Sequence, residues 1–325
     1  MNFIISIDTE GDNQWDHGRD LTVENIRYVP RFQALCEDYG IKPTYLVTSE
    51  VCHDAYARDL FTGYISDGRA EIGAHLHSWS TPPFVDREGF KENDANHAFA
   101  SELPFDLLNN KIANLTEQIS GSFGKRPTSF RSGRYGFNEN VARSLVANGY
   151  IVDSSVTPFV SWDGHKGIPG GNGGPDFIDS PAFPYQYPFP GGSITEIPIT
   201  ILPTRFPLTV SEKLAHHYFR NVDNSLALRG LRKLFFSDQP VWLRPAPGTD
   251  LDMLTRLVNV TIDIKLPFIT MMFHSSELMP GCSKYRPDSD SVEELYRLLH
   301  SFFNLLSDRG ITSATLTEAA QNTTI

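Results

Sequence analysis

The segment FIISIDTEGDNQWD, residues 3–16, passes directly from an apolar run into a group of acidic residues. Its first part is typical of a strand in a parallel sheet, where both faces of the strand are buried. In such sheets, ligands bind beyond the carboxyl ends of the strands. Because Asp8, Glu10 and Asp12 lie at that end, the segment predicts a parallel α/β fold with a functional site after its first strand.

Segments typical of helices and strands alternate along most of the chain. Apolar residues recur at helical spacing in residues 21–41, 53–68, 105–124, 138–150 and 291–311. Runs typical of strands include residues 42–48, 70–76, 151–156 and 312–320. This alternation predicts βα units whose strands pair in parallel.

Residues 157–193 interrupt the alternation with a segment that is dense in glycine, proline and aromatic residues. A flexible linker between two domains would also be rich in glycine and proline. The interleaved Phe, Tyr and Trp residues instead favour a long packed loop near a binding face, since long ordered loops are usually functional. We therefore predict a single domain, residues 1–325, with a loop insertion at about 157–193.

The composition and charge exclude several classes of partner. The 325 residues are 40% hydrophobic and 21% charged, which is ordinary for a globular enzyme. A formal net charge of -11 argues against binding to nucleic acid or to a bare membrane surface. The three cysteines form no CxxC pair, so neither a disulfide framework nor a cysteine-ligated zinc is expected. Without a signal-peptide pattern or a long apolar stretch, we expect a cytoplasmic protein that does not insert into membranes.

Two pairs of polar residues lie at the ends of predicted strands, and the members of each pair are two residues apart. Asp8 and Glu10 follow the first strand, and His75 and His77 lie at the end of the run AEIGAHL. Residues two apart on extended backbone point the same way, and the carboxyl ends of barrel strands converge on one face. Two neutral histidines and one carboxylate make a metal site with open positions, suited to Zn²⁺ or another divalent first-row ion. The second carboxylate would then be free for proton transfer.

Five motifs occur in the order of a known family: Asp-Thr-Glu after the first strand, EIGAH at 71–75, RPTSFRSGRYG at 126–136, DSS at 153–155 and FHSSE at 273–277. Together they resemble the NodB-homology polysaccharide deacetylases, carbohydrate esterase family four. Their variant form resembles a subgroup associated with the biosynthesis of surface polysaccharides such as O-antigen and lipopolysaccharide. The resemblance implies a distorted (β/α) barrel of seven or eight mostly parallel strands and a hydrolase that removes acetyl groups from sugars.

The resemblance also implies catalytic roles for four residues. Asp8 matches the catalytic base, and Arg131 matches the arginine that orients this base. His274 matches the late histidine that acts as general acid. Asp153 matches an acid near the active site that commonly tunes this histidine. The implied substrate is an acetylated saccharide.

The family holds a divalent metal with two histidines and a carboxylate, and here the match is incomplete. Glu10 matches the carboxylate, which is usually an aspartate, and His75 matches the first metal histidine. The second metal histidine usually stands four residues after the first, where this chain has Trp79. We favour His77 as its replacement and keep His97 as the alternative. Zn²⁺ is the preferred ion, with Co²⁺, Mn²⁺, Ni²⁺ and Fe²⁺ as alternatives.

Three other functions fit parts of the pattern. A carbohydrate-binding protein on a barrel that has lost its metal would explain the histidine missing at position 79. A related hydrolase could use the same chemistry on a linear or cyclic amide. An iron oxygenase would use the same ligand set, but such enzymes usually have an antiparallel jelly-roll scaffold, which the βα alternation disfavours. The identity of the sugar, the acetyl position and the oligomeric state do not follow from the sequence.

Overall fold

The structure is a computed structural model of the chain. It describes residues 1–14, 21–87, 90–91, 97–204, 209, 211–222, 225, 228, 230 and 240–322. The last two residues of the opening segment, Trp15 and Asp16, lie outside the described residues.

Strands and helices alternate through the described residues. The strands are β1 (Asn2–Thr9), β2 (Thr44–Val47), β3 (Glu71–Leu76), β4 (Asp86–Arg87), β5 (Phe90–Lys91), β6 (Ser129–Ser132), β7 (Val152–Asp153), β8 (Tyr185–Phe189), β9 (Gly192–Glu196), β10 (Ile201–Leu202), β11 (Val241–Trp242), β12 (Phe268–His274) and β13 (Thr312–Ser313). The α-helices are α1 (Val29–Asp38), α2 (Ser49–His53), α3 (Ala55–Ser66), α4 (Phe105–Phe123), α5 (Glu139–Ala147), α6 (Glu212–Asn221), α7 (Leu251–Asp263), α8 (Ser289–Asp308) and α9 (Leu316–Asn322).

One large sheet contains most of the strands. Eight of them follow the order β12-β1-β2-β3-β6-β7-β9-β8, and β13 adds to β1 off this path. All neighbours on the path are parallel except β8 and β9, which form an antiparallel hairpin. The sheet curls into a half-barrel, which confirms the predicted α/β class with mostly parallel strands.

The segment that follows β9 lies between the two ends of the parallel sheet. The backbone N–H of Ile197 donates to the carbonyl of Asp153 in β7, at 2.9 Å. Three residues later, the N–H of Thr200 donates to the carbonyl of Thr270 in β12, at 3.1 Å. The two ends of the half-barrel are therefore connected by irregular backbone hydrogen bonds.

Strand β1 is buried on both faces, which explains its continuous apolar run. Its odd positions from Phe3 to Ile7 pack in the larger core cluster with residues of the surrounding helices. On the other face, Ile4 packs in a second cluster that includes Leu316 of α9. Because side chains alternate along a strand, Asp8 lies on the same face as Ile4, nearer the carboxyl end. This face therefore changes from apolar to polar where the candidate site begins.

Helix α4 supports the loop that follows β3. Its apolar residues from Leu108 to Phe123 are buried at helical spacing. Lys111 on the same helix is wholly buried, and its Nζ donates at 2.6 to 3.0 Å to the backbone carbonyls of Ser78, Thr81 and Pro83. A buried ammonium requires such acceptors. Lys111 thus fixes the loop that begins at the predicted histidine pair.

Residues 312–320 were predicted as a final strand, and most of this prediction is wrong. Strand β13 has two residues, and α9 begins at Leu316. The helix begins there because Thr315 and Glu318 bind each other's backbone. Thr315 Oγ1 accepts from the N–H of Glu318 at 3.3 Å, and Glu318 Oε2 accepts from the N–H of Thr315 at 3.0 Å. This reciprocal pair is a capping box, which starts a helix despite the β-branched residues before it.

The glycine- and proline-rich segment is irregular over most of its length. Residues 157–184 contain no helix or strand, and an isolated bridge joins Ser161 to Asp176. The segment then runs into β8 and β9 at the edge of the sheet. Within the part of the chain that the structure describes, none of the helices is both long and apolar enough to cross a membrane.

Candidate metal centre

Three side chains from the ends of β1 and β3 meet at one point. Glu10 directly follows β1, His75 is in β3 and His77 directly follows it. Glu10 Oε2 lies 2.8 Å from His77 Nε2 and 3.5 Å from His75 Nε2, and the two Nε2 atoms are 3.2 Å apart. All three residues are buried, and their ligand atoms could reach a single metal ion.

The three residues fit a divalent metal in spacing and in chemistry. Ligand atoms bound tetrahedrally at about 2.0 to 2.2 Å from zinc lie roughly 3.3 to 3.6 Å apart, close to the separations seen here. The Nδ1 of His75 lies 2.9 Å from the carbonyl of Arg131, so Nδ1–H can donate there and leave Nε2 as the ligand atom. The donor set of two imidazoles and a carboxylate suits zinc and similar ions.

The protonation states of the ligands also bear on metal binding. Burial would raise the pKa of Glu10, but hydrogen bonds from His75 and His77 outweigh it and hold this pKa well below its usual range. Burial lowers the pKa of His77 to about 4, so its imidazole is neutral at pH 7. Burial would also lower the pKa of His75, but attraction to Asp8 and Glu10 raises it. A metal that binds here would therefore compete with a proton on His75.

Asp8 lies beside this group and is held by Arg131. The Nη1 of Arg131 donates to Asp8 Oδ1 at 2.7 Å, and its Nη2 donates to Ser6 Oγ at 2.7 Å. Burial would raise the pKa of Asp8, but the positive charge of Arg131 and the neighbouring histidines outweigh it and lower this pKa. The second oxygen, Oδ2, lies 4.0 Å from His75 Nε2 and 3.9 Å from His274 Nε2. Asp8 is therefore an ionised carboxylate with one oxygen facing the site.

His274 comes from the carboxyl end of β12, which pairs with β1. Its Cα is in register with that of Asp8, which explains why the two side chains meet. The Nε2 atom faces Asp8, whereas Nδ1 lies 3.3 Å from Glu277 Oε1 and 3.2 Å from Arg244 Nη2. Among the described residues, the acids with a carboxylate oxygen within 4.0 Å of His274 are Asp8 and Glu277.

The resemblance implied that Asp153 tunes His274, but the structure does not bring these two side chains together. Asp153 accepts hydrogen bonds from the backbone N–H and the hydroxyl of Ser155, both at 2.8 Å. It is in register with Glu196 of β9, and burial raises the pKa of both acids. Ser154, next in the chain, accepts from Arg131 through its carbonyl at 2.8 Å and its hydroxyl at 3.0 Å. Asp153 therefore lies behind Arg131.

The residue at the position of the missing histidine, Trp79, packs between two other histidines. Its ring lies 4.4 Å from that of His77 and stacks at 4.5 Å on that of His97, measured between centroids. The indole Nε1 donates to the carbonyl of Gln14 at 3.2 Å. His97 thus lies on the side of Trp79 away from His77, and the candidate metal group contains His77.

Three residues near the site were not predicted from the sequence: Gly133, Arg244 as a neighbour of His274, and Glu277. A Cβ atom at Gly133 would lie 2.3 Å from His77 Nδ1, so only glycine fits there. Its place in the motif FRSGRYG was a signal that could have identified it. The position of Glu277, three residues after His274, was a comparable signal, because this spacing brings side chains together in a helical turn.

Gly133→Ala is expected to displace His77 and to weaken metal binding. The added Cβ would lie 2.7 Å from both His77 Cε1 and the carbonyl of Leu76, so ring and backbone must move. Since changes behind a ligand typically cost 10- to 100-fold in metal affinity, a loss of about that size should appear in zinc titration by calorimetry. The matched control is Gly121→Ala in α4, where a Cβ meets nothing within 4 Å. Unchanged zinc affinity in Gly133→Ala would contradict this account of the site.

Glu277 is expected to make folding stability depend on acid pH. Burial would raise the pKa of Glu277, but His274 and Arg244 lower it from 4.5 to about 2. The stabilisation is present above pH 4.5 and is lost as the pH falls from 4.5 toward 2, by about 3 kcal/mol in full. Urea unfolding should therefore show Glu277→Gln to be less stable than the wild type at pH 7. The difference in the free energy of unfolding between the two should become smaller below pH 4.5. Glu294→Gln, which changes an exposed residue, should have the stability of the wild type at each pH. A stability difference between Glu277→Gln and the wild type that does not change with pH would contradict the prediction.

The fold of this chain is similar to that of several solved structures. The sequence matches no family model and no curated protein. A provisionally assigned polysaccharide deacetylase from Mycobacterium smegmatis is 12% identical, with a TM-score of 0.50 over 97% of this chain and 93% of that one. Another from Pseudomonas aeruginosa PAO1 is 12% identical, with a TM-score of 0.51 over 98% and 89%. Puue allantoinase is 13% identical, with a TM-score of 0.53 over 98% and 88%. At these identities the likeness shows a shared fold.

Proposed function

We propose that this chain is a metal-dependent hydrolase that removes an acetyl group from an N-acetylated sugar of a surface polysaccharide or of its precursor. The observation that carries the proposal is the meeting of Glu10, His75 and His77 beside Asp8, whose second oxygen faces His274. The motifs that resemble the polysaccharide deacetylases supply Asp8, Glu10, His75 and His274, while His77 replaces the family's second metal histidine, and two proteins assigned to that activity share the fold. Residues 1–325 would form one such domain, with the loop insertion at about 157–193.

Glu10, His75 and His77 would hold the metal, for which Zn²⁺ is the preferred ion. When bound, a divalent metal lowers the pKa of water and polarises an acetyl carbonyl. The role of these three side chains is to present their ligand atoms together in a buried site. The site also fits Co²⁺, Mn²⁺, Ni²⁺ or Fe²⁺ by ligand type.

Asp8 and His274 would move the protons of the reaction. Asp8 Oδ1 is occupied by Arg131, so Oδ2 is the atom that accepts a proton from the attacking water. His274 Nε2, 3.9 Å from this oxygen, would donate a proton to the departing amine, in the manner of a general acid. Arg131 keeps Asp8 ionised and fixes its orientation. Asp153 would contribute through the Ser154–Ser155 turn that binds Arg131.

An aromatic cluster near the site supports a saccharide substrate. Tyr135 stacks on Trp162 with ring centroids 5.1 Å apart, and Trp242 lies 6.2 Å from Tyr135. Trp162 belongs to the glycine- and proline-rich segment, and both tryptophans are partly exposed. Aromatic rings of this kind give a sugar ring an apolar face to contact. We propose that this segment forms part of the sugar-binding surface.

The test is a screen for acetate release from acetylated sugars and sugar precursors, with and without a chelator. We expect the purified chain to release acetate from at least one acetamido sugar, to lose this activity with chelator and to regain it with Zn²⁺. Activity that is unaffected after complete removal of metal would contradict the metal dependence. An enzyme of this kind should contain metal as the wild type and lose it in His75→Ala. A carbohydrate-binding protein that has lost its metal site would contain no metal in either form.

The shared fold of the allantoinase favours a second candidate, a hydrolase of a linear or cyclic amide that is not an acetamido sugar. The same residues could serve it, since the bond broken is also a C–N bond. Ring opening or ammonia release from such amides, without acetate release from any sugar, would favour this candidate over the first.

A further inference from the structure

We propose that Glu277 is the positioning residue of His274 and that Arg244 fixes Glu277 in this role. The inference rests on the proposed function, in which His274 donates a proton to the leaving group. It assigns to Glu277 the place that the resemblance gives to Asp153. One acid from the same short turn as the histidine would thus orient its ring.

A single oxygen of Glu277 binds both the backbone and the ring of His274. Oε1 accepts from the backbone N–H of His274 at 3.2 Å and lies 3.3 Å from its Nδ1. Residues 275–278 form one 3-10 turn, which brings the side chain of residue 277 back over residue 274. With Nδ1 held on this side, Nε2 is directed to the site, 3.9 Å from Asp8 Oδ2.

Arg244 compensates the charge of Glu277 in the interior. The Glu277 side chain is 0% exposed and that of Arg244 is 13% exposed, with Arg244 Nη2 donating to Glu277 Oε1 at 2.8 Å. The guanidinium also lies over the ring of Tyr285, 4.8 Å from its centroid. A buried carboxylate requires such a cation, because an uncompensated charge in the interior is costly. Arg244 thereby keeps Glu277 ionised and in place.

The proposal determines which nitrogen of His274 moves the proton. If Nδ1–H donates to Glu277, the transferable proton is on Nε2, and after transfer the neutral ring keeps its proton on Nδ1. The opposite arrangement has Nδ1 accepting from Arg244 Nη2, which lies 3.2 Å away, and then Glu277 has no direct role. The two arrangements differ in a property that can be measured without any substrate.

The first experiment is nitrogen NMR of the zinc-loaded full chain labelled with ¹⁵N-histidine. The His274 signals are assigned by their absence in His274→Gln. We expect neutral His274 to carry its proton on Nδ1 in the wild type, and this preference to be lost in Glu277→Ala. A proton on Nε2 in the wild type would overturn the proposal, whether or not the chain proves to be a deacetylase.

The second experiment compares leaving groups in Glu277→Gln. On an acetamido sugar, kcat should fall by about 100-fold with KM nearly unchanged, because the amine leaves only when protonated. On p-nitrophenyl acetate, whose leaving group needs no proton, the loss should be within a few-fold. Equal losses on both substrates would mean a purely structural role and would overturn the proposal. If the wild type cleaves neither substrate, the proposed function fails, while the NMR result still decides the role of Glu277.

Folding of the variants needs its own control, since Glu277→Gln leaves Arg244 without its anionic partner. The double variant Glu277→Gln/Arg244→Gln removes both charges and keeps side chains of similar length. It should be more stable in urea than the single variant and should show the same selective loss on the acetamido sugar. A double variant with wild-type kcat on that sugar would contradict a positioning role.

Discussion

Asp8→Asn is expected to lower the rate of acetate release by about 10²- to 10⁴-fold, the range for loss of a general base. The reason is local: Asp8 Oδ2 faces the site and Oδ1 is bound to Arg131, so this carboxylate is placed to take a proton. An amide at this position has a similar shape but cannot accept the proton. The measurement is kcat for acetate release at saturating substrate.

The same variant should keep its metal, because Glu10, His75 and His77 are unchanged. Zinc content after dialysis therefore separates loss of a base from loss of the site. Arg131 is 0% exposed and would lose its anionic partner, so the free energy of unfolding should fall by about 3 to 5 kcal/mol. Asp38→Asn makes the same chemical change at an exposed position and is the control. Wild-type kcat in Asp8→Asn would exclude Asp8 as the base.

The positions that the sequence could predict are those fixed by strand geometry. Residues two apart at a strand end point the same way, so the pairing of Asp8 with Glu10 and of His75 with His77 follows from spacing alone. That the two pairs meet follows from the parallel order, since β1, β2 and β3 are neighbours in the sheet. Periodicity also predicted most helices, because their buried residues recur at helical spacing.

Other features depend on contacts between segments that are distant in the sequence. The bond from Thr200 to β12 joins the two ends of the half-barrel across 70 residues, and no local pattern indicates it. Arg244 reaches His274 from a loop after β11, which likewise has no local signal. The helix at 316–322 was different, since the Thr-x-x-Glu spacing of residues 315–318 that starts it is a local signal, although the composition around it is typical of a strand. Tertiary pairing and caps thus account for what the sequence did not predict.

His77→Ala is expected to weaken zinc binding by at least about 100-fold, more than the 10- to 100-fold typical of residues that act behind a ligand. The prediction follows from distance, since His77 Nε2 lies 2.8 Å from Glu10 Oε2 and 3.2 Å from His75 Nε2. Removing it leaves two protein ligands where a catalytic zinc normally has three. Zinc affinity by competition with a chelating dye, together with metal content after dialysis, would measure the loss.

His97→Ala is the matched control, because His97 is the other histidine that could replace the one missing at position 79. Its ring stacks on Trp79, and Trp79 in turn lies against His77, so its removal acts on the metal through two intervening contacts. We therefore expect a change of a few-fold in zinc affinity from a looser Trp79, against the loss of at least about 100-fold in His77→Ala. A larger loss in His97→Ala than in His77→Ala would transfer the ligand role to His97. The size of the effect, rather than its presence, thus separates a ligand from a residue that supports one.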